Sequence, residues 1–325
     1  MTERADRWTG LEPDQRPYRD GAWFYAEYRY RPPEVFLRLL ATHLGWSASD
    51  RVLDLGAGPA HVSLRLAPFV GEVVAMDPEK AMIAEGRRRA AAAAVDNISF
   101  VVGGSDDLAR LSAGLGEFAA VLISQAFHWM ADQDAVLRAL DPLLDREGGA
   151  VALVGYVKEP DYNRVWLDRP PWDAVESILR RHLADAPEGP NPAGRHDPFP
   201  DILARSAFSR VELLTHEYEA VIQPSIDAAI GFHYSLGNVL TRLGERREAF
   251  EADVRAALAG ADTSPLAVRL TDSALIGRRP PAAHGSGVGE DLRQRVRGLA
   301  DHAGVRVPVV RQRHHGLEER PAAAA

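Results

Sequence analysis

Arg51-Val-Leu-Asp-Leu-Gly-Ala-Gly-Pro-Ala60 is the stretch whose reading decides the fold. Val52 and Leu53 form a short apolar run, Asp54 closes it, and glycines follow at 56 and 58. His61-Val-Ser-Leu-Arg-Leu66 then has helical character, with Val62, Leu66 and Phe69 at i, i+4, i+7 spacing. The stretch reads as strand, tight glycine turn, helix. Glycine lets the chain turn with positive φ and lets a ligand approach bare backbone. The helix N-terminus beside it offers free N–H groups. Such a turn suits a nucleotide or nucleoside in the first βα unit of a doubly wound sheet.

The details narrow the ligand. A dinucleotide site wants G-x-G-x-x-G after its strand, and the third glycine position here is His61. Asp54, directly before the turn, would repel a pyrophosphate and suits a cationic ligand. Asp54-Leu-Gly-Ala-Gly58 closely resembles the first motif of class I S-adenosyl-L-methionine (SAM) methyltransferases. The resemblance implies SAM as cofactor, S-adenosyl-L-homocysteine as product, and Asp54, Gly56, Ala57 and Gly58 at the cofactor.

Working outward, Glu72-Val-Val-Ala-Met-Asp77 is a buried strand ending in an acid, the position that accepts both ribose hydroxyls in a Rossmann-like unit. Asp77-Pro-Glu-Lys-Ala-Met82 resembles the family's second motif, which implies that Pro78 packs on the adenine. Asn97–Val102 is the third strand. After Gly103 the family usually carries an acid, but this chain has Gly104, so the adenine amino group falls to Asp106 or Ser105. Phe118–Ile123 is the fourth strand, running into Ser124-Gln-Ala-Phe-His-Trp129. That segment resembles methyltransferases related to the ubiquinone and trans-aconitate enzymes. By this likeness Ser124 and Gln125 meet the cofactor, the Ser124 carbonyl holds its ammonium group, and Phe127, His128 and Trp129 approach the methyl. Tyr30-Arg31-Pro32-Pro33 resembles the segment before the first core helix, which places Tyr30 and Arg31 near the SAM carboxylate. Arginine is the natural partner there because it is always charged and bonds bidentately.

Composition fits this class. The chain has 325 residues, 46% hydrophobic and 26% charged, with net charge -8 and no cysteine. It is globular, lacks thiolate chemistry, and is biased away from nucleic acid and anionic membranes. The start of the chain has no apolar signal-peptide core, and no run approaches a membrane span, so a cytoplasmic protein is expected. Lysine occurs only at 80 and 158 amid abundant arginine and alanine, pointing to a GC-rich, bacterial genome.

Alternating strands and helices through a fifth strand at 148–155 demand a parallel sheet with right-handed crossovers. The expected architecture is α/β: a doubly wound, Rossmann-like methyltransferase sheet, mostly parallel, with helical lid insertions. Residues 1–32 read as an aromatic flap, 33–277 as the SAM-binding domain with lids at about 156–200 and 225–260, and 278–325 as a flexible tail. The proline-rich 156–200 stretch holds a short helix at about 171–184, and 209–216 is a sixth strand. Residues 225–259 are helical in two pieces broken near Gly237, and 266–277 forms the last strand, antiparallel in the family.

The reaction implied is methyl transfer to a small-molecule acceptor in secondary or specialised metabolism. Tyr25, Phe127, Trp129, Tyr156 and Trp166 would shape the acceptor pocket. His128 or His233 could serve as base, since the unperturbed histidine pKa is suitable. No compact metal-ligand cluster is evident. A monomer or homodimer is expected, with neither nucleic acid nor membrane as partner. The alternatives are a SAM-fold protein that binds cofactor without methyl transfer, a protein or tRNA methyltransferase, and a nicotinamide oxidoreductase, which His61 opposes.

Overall fold

A computed structural model describes residues 18, 20–145, 148–155, 173–186 and 197–280. The strands are β1 (Arg51–Leu55), β2 (Glu72–Asp77), β3 (Ile98–Val102), β4 (Ala120–Ser124), β5 (Ala150–Val154), β6 (Arg210–Ile222) and β7 (Leu266–Arg278). They form one sheet in the order β3-β2-β1-β4-β5-β7-β6. The first five are parallel, and β7 runs antiparallel between β5 and β6. The strand order reverses between β1 and β4, so the turns leaving those two strands open a crevice at the carboxyl edge. In open α/β sheets such a switch point is where ligands bind.

Strand alternation explains both layers of the core. Val52, Val73, Leu122 and Ala152 pack on one face with Phe36, Leu37 and Leu40 of α2 (Glu34–Leu44) and Val62 and Leu66 of α3 (His61–Leu66). Leu53, Val74, Val121 and Val151 pack on the other with Leu108 and Leu115 of α5 (Leu108–Leu115) and Val136, Leu137 and Leu140 of α6 (Gln133–Leu140). Between β2 and β3 runs α4 (Lys80–Ala92), and α8 (Phe199–Ala204) adds Ile202 and Leu203 to the second face.

A separate apolar cluster makes a helical cap. It joins Val175, Ile178 and Leu179 of α7 (Asp173–His182) to Ile230 and Tyr234 of α9 (Ile226–Tyr234). Leu243 of α10 (Val239–Leu243) and Phe250 and Val254 of α11 (Arg247–Ala257) complete it. The 225–259 region thus has three α-helices rather than two, because Gly244, at φ +51°, makes a second break.

The sixth strand is also longer than the sequence pattern indicated. β6 and β7 stay in register from Arg210↔Arg278 to Ile222↔Leu266, whereas β5 ends opposite Ala274. The excess is a two-stranded ribbon beyond the sheet's carboxyl edge. Its charged residues, such as Glu217 and Glu219, face outward and hide the strand pattern.

Helix α1 (Ala22–Tyr28) lies over the glycine turn. Its Tyr28 ring presses on α9 at Gly231, where a Cβ would come within 2.2 Å of the ring, so only glycine fits. On the other side, His61 Nε2 lies 3.0 Å from the Ala26 carbonyl. A carbonyl only accepts, so this ring nitrogen carries the proton and donates. Burial holds the imidazole neutral, its pKa lowered to about 3. His61 therefore occupies the expected third-glycine position because it pins α1 to α3. His61→Ala should leave the Ala26 carbonyl with the Arg31 guanidinium as its side-chain donor, and loss of the buried bond should destabilise the protein by about 0.5–1.5 kcal/mol. Denaturant melts should show the loss, and hydrogen exchange should speed up selectively in residues 22–28.

Candidate active site

The β1–α3 turn is bound to the end of β2. Gly56 N–H and Ala57 N–H both donate to the Met76 carbonyl, at 2.8 and 3.0 Å. Gly58 N–H donates to Asp77 Oδ2 at 2.9 Å, and Glu79 N–H to Asp77 Oδ1 at 2.8 Å. Gly56 and Gly58 sit at φ +77° and +54°, a region side chains rarely adopt. A Cβ on Gly56 would lie 2.5 Å from that of Ala126, on the opposing wall.

One cleft is walled by Gly56, Gly58, Asp77, Pro78, Met82, Gly104 and Ser105, with Ser124, Gln125, Trp129 and Met130 opposite. Tyr18 and Tyr25 cover it, Tyr18 meeting both Tyr25 and Trp129 edge to face at 5.6 and 6.0 Å. An adjoining cleft carries Tyr25, Arg29, Tyr30, Ala57, Ser124, Gln125 and Gly155. Burial pushes the Asp77 pKa up to about 7 despite its two backbone hydrogen bonds.

Tyr25, Tyr30, Gly56, Ala57, Gly58, Asp77, Pro78, Ser105, Ser124, Gln125 and Trp129, all singled out from sequence, meet at these two clefts. Tyr30 also donates a short hydrogen bond to buried Asp272 and lies 2.6 Å from the Tyr218 hydroxyl, which fixes it to the β6–β7 ribbon.

Six described residues lie elsewhere, His233 among them in the cap. Asp54 shares the strand face of Val52, so its side chain points toward α3 and accepts from Ser63 Oγ at 2.6 Å. It is fully buried beneath the turn, with a pKa raised to about 6 by that burial, and lines neither cleft. Arg31 spends its guanidinium on the Ala26 and Glu27 carbonyls that α1 leaves exposed at its end. Asp106 is exposed beside Ser105 and does not line the cleft. Phe127 is core, its ring 5.0 Å from that of Phe199. His128 follows in the same tight turn, against Trp129 at 5.2 Å, but only its neighbours Trp129 and Met130 reach the cleft wall. Tyr156 and Trp166 lie outside the described residues.

Sequence reasoning missed Arg29. It lines the second cleft, with its guanidinium carbon 5.2 Å from the Tyr25 ring centre and 5.5 Å from that of Phe232. Tyr25 and Arg29 are spaced i, i+4 at the end of α1, a signal that could have placed both on one face. His233 lines a separate cavity of about 800 Å³ in the cap, and Arg29 also borders that cavity. Among the described residues, no group of three or more histidine, aspartate or glutamate side chains could hold a metal, and no helix is long and apolar enough to cross a membrane.

Residues 52–148 match the model of a methyltransferase domain family. Over that stretch the chain is similar to a methyltransferase domain. Among curated relatives, the uncharacterized methyltransferase YcgJ of Bacillus subtilis is 25% identical over 146 residues, which is 45% of this chain and 56% of that protein. The chain thus spans just over half the length of that relative. The solved structure of YcgJ aligns over 76% of this chain and 100% of its own, at 18% identity and TM-score 0.42. A SAM-dependent methyltransferase structure from Clostridium acetobutylicum aligns over 42% of this chain and 56% of its own, at 18% identity and TM-score 0.35.

The position of Asp77 predicts a pH signature. The ribose hydroxyls expected at Asp77 from the sequence would donate to its carboxylate form, and the free protein holds a proton there below about pH 7. Binding must expel that proton, so affinity for S-adenosylhomocysteine should fall as pH drops, by about tenfold from pH 8 to 6. Asp77→Ala should weaken binding by about 1.5–3 kcal/mol at pH 8 and flatten the profile. Calorimetry across the range reads both effects.

Proposed function

We propose that this protein is a SAM-dependent methyltransferase acting on a small-molecule acceptor. The observation that carries the reading is the state of the glycine turn. Its three N–H groups at Gly56, Ala57 and Gly58 are already donated to Met76 and Asp77. The start of α3 is covered by α1 through the His61–Ala26 bond, with the Tyr25 ring 6.0 Å from that of His61. A pyrophosphate needs those N–H groups and that helix end. A nucleoside with an amino-acid tail needs only bare backbone, a ribose acceptor and partners for its ammonium and carboxylate.

The cleft residues fit that ligand. Asp77 would accept the ribose hydroxyls, with Pro78 and Met82 flanking the base and Ser105 within reach of its edge. Gly56 and Gly58 would let the thioether chain pass close to backbone, and the Ser124 carbonyl would take the ammonium group. Arg29, rather than Arg31, would take the carboxylate, since it borders the turn and Ser124. Bound SAM supplies a methyl already activated on a sulfonium. The protein's work is then positioning and water exclusion, which Tyr18, Tyr25 and Trp129 would serve as a lid of rings.

Calorimetry should detect S-adenosylhomocysteine binding and no binding of NAD. Tight NAD binding without S-adenosylhomocysteine binding would overturn this function.

A further inference from the structure

The cap cavity holds a chemistry that cofactor binding does not use. It lies between α7, α9 and α10, and Leu179, Leu183, Phe232, Leu236 and Val239 give it apolar walls. It is open on one side, and its volume of about 800 Å³ has room for a drug-sized ligand. His233 lines it, nearly fully buried, with its ring set across that of Phe232 at 87°. His233 Nδ1 lies 2.7 Å from the Ala229 carbonyl. Since that oxygen only accepts, Nδ1 carries the ring proton, and in the neutral imidazole Nε2 is left as a bare acceptor. A buried, neutral, tautomer-fixed imidazole is the form a general base requires.

The charged surroundings select the acceptor. Three guanidinium groups border the cavity: Arg180, which lies 3.8 Å from Glu176, Arg29, which stacks on Tyr25 and Phe232, and Arg242. On the neighbouring α11, Glu251 is engaged by Tyr234 and Arg247. A bare imidazole Nε2 among apolar walls calls for an acceptor that donates a hydrogen bond to it, and the bordering guanidinium groups favour a hydroxyl over an ammonium group. A carboxylate acceptor would need no base, which would leave His233 unexplained. Arg29 borders both this cavity and the cleft that holds Gly56, Gly58 and Ser124, so the two spaces are neighbours.

Building on the methyltransferase reading above, we propose that the cap cavity binds an apolar acceptor carrying a weakly acidic hydroxyl, such as a phenol, and that His233 Nε2 takes its proton. The hydroxyl O–H bond breaks toward Nε2, and the oxygen forms the new bond to the methyl carbon. The carbon–sulfur bond breaks with its electron pair left on sulfur. The sulfonium charge is thereby replaced by an imidazolium, which later releases its proton to water. Burial lowers the His233 pKa from its ordinary 6.5, while Glu176 and the Ala229 carbonyl pull the other way. The free ring is therefore neutral and ready at physiological pH.

The test uses 1-naphthol as probe with the full chain, His233→Gln and Leu236→Trp, each saturated with S-adenosylhomocysteine or SAM. In the S-adenosylhomocysteine complex, 1-naphthol should bind and shift the His233 imidazole signals in NMR spectra, assigned by their loss in His233→Gln. Leu236→Trp should fill the cavity and remove naphthol binding while S-adenosylhomocysteine affinity stays within about twofold. His233→Gln should keep both affinities and lower the single-turnover rate of naphthol methylation by about a hundredfold or more. The wild-type rate should fall at acid pH, on a limb below the ordinary histidine range that His233→Gln lacks. The proposal is overturned if naphthol does not bind or binds without moving the His233 signals. Binding undiminished in Leu236→Trp, no methylation by the wild type, or an equal rate in His233→Gln also overturns it. Failure of S-adenosylhomocysteine itself to bind would strike the methyltransferase reading instead.

Discussion

The site depends on the way one buried carboxylate, Asp77, is held. Its two oxygens accept from Gly58 N–H and Glu79 N–H, so it joins the turn after β1 to the start of the helix after β2. Each such charge-assisted hydrogen bond contributes about 1.5–3 kcal/mol. Burial still outweighs them, since the carboxyl is driven up to about pKa 7. An acid held at this cost, lining an open crevice, is poised for donors that arrive with a ligand. The same contact uses the N–H that a phosphate would want. One hydrogen bond thus shapes the turn and occupies an N–H that a phosphate would want, while the proposed function makes the same carboxylate the ribose acceptor.

The flap and the cap work around that centre through close approach. Gly231 is a glycine within α9, which weakens a helix by about 1 kcal/mol relative to alanine. The Tyr28 ring against it supplies the compensation, because α1 and α9 can meet only where no Cβ stands. Edge-to-face packing of Phe24 on Tyr234, at 5.1 Å, extends the contact. Helix α1 is therefore shared between sheet and cap: His61 grips it from one side and Gly231 receives it on the other. Arg29, just beyond its end, borders both the second cleft and the cap cavity as a consequence.

Much of this was legible in the chain. The apolar runs ending in Asp54, Asp77 and Ser124 mark the strands, and the glycine turn and the acid that ends β2 mark the cleft. What escaped notice depended on three-dimensional direction. Asp54 and Asp77 both terminate apolar runs, but Asp54 is one step short of its strand's end, and strand alternation turns it toward α3. Arg31 matches a familiar segment, yet the free carbonyls of α1 claim it and leave Arg29 at the cleft. The β6–β7 ribbon was read short because half of its residues face solvent, as those of a two-stranded extension must. The tail expected after residue 278 lies outside the described residues from 281 onward.

A crystal structure of the protein with S-adenosylhomocysteine tests the central claim most directly. The account predicts both ribose hydroxyls within hydrogen-bond distance of Asp77, the thioether chain along Gly56 and Gly58, and the ligand carboxylate facing Arg29. A nucleoside bound away from Asp77, or a ligand seated anywhere other than the crevice between β1 and β4, would contradict it.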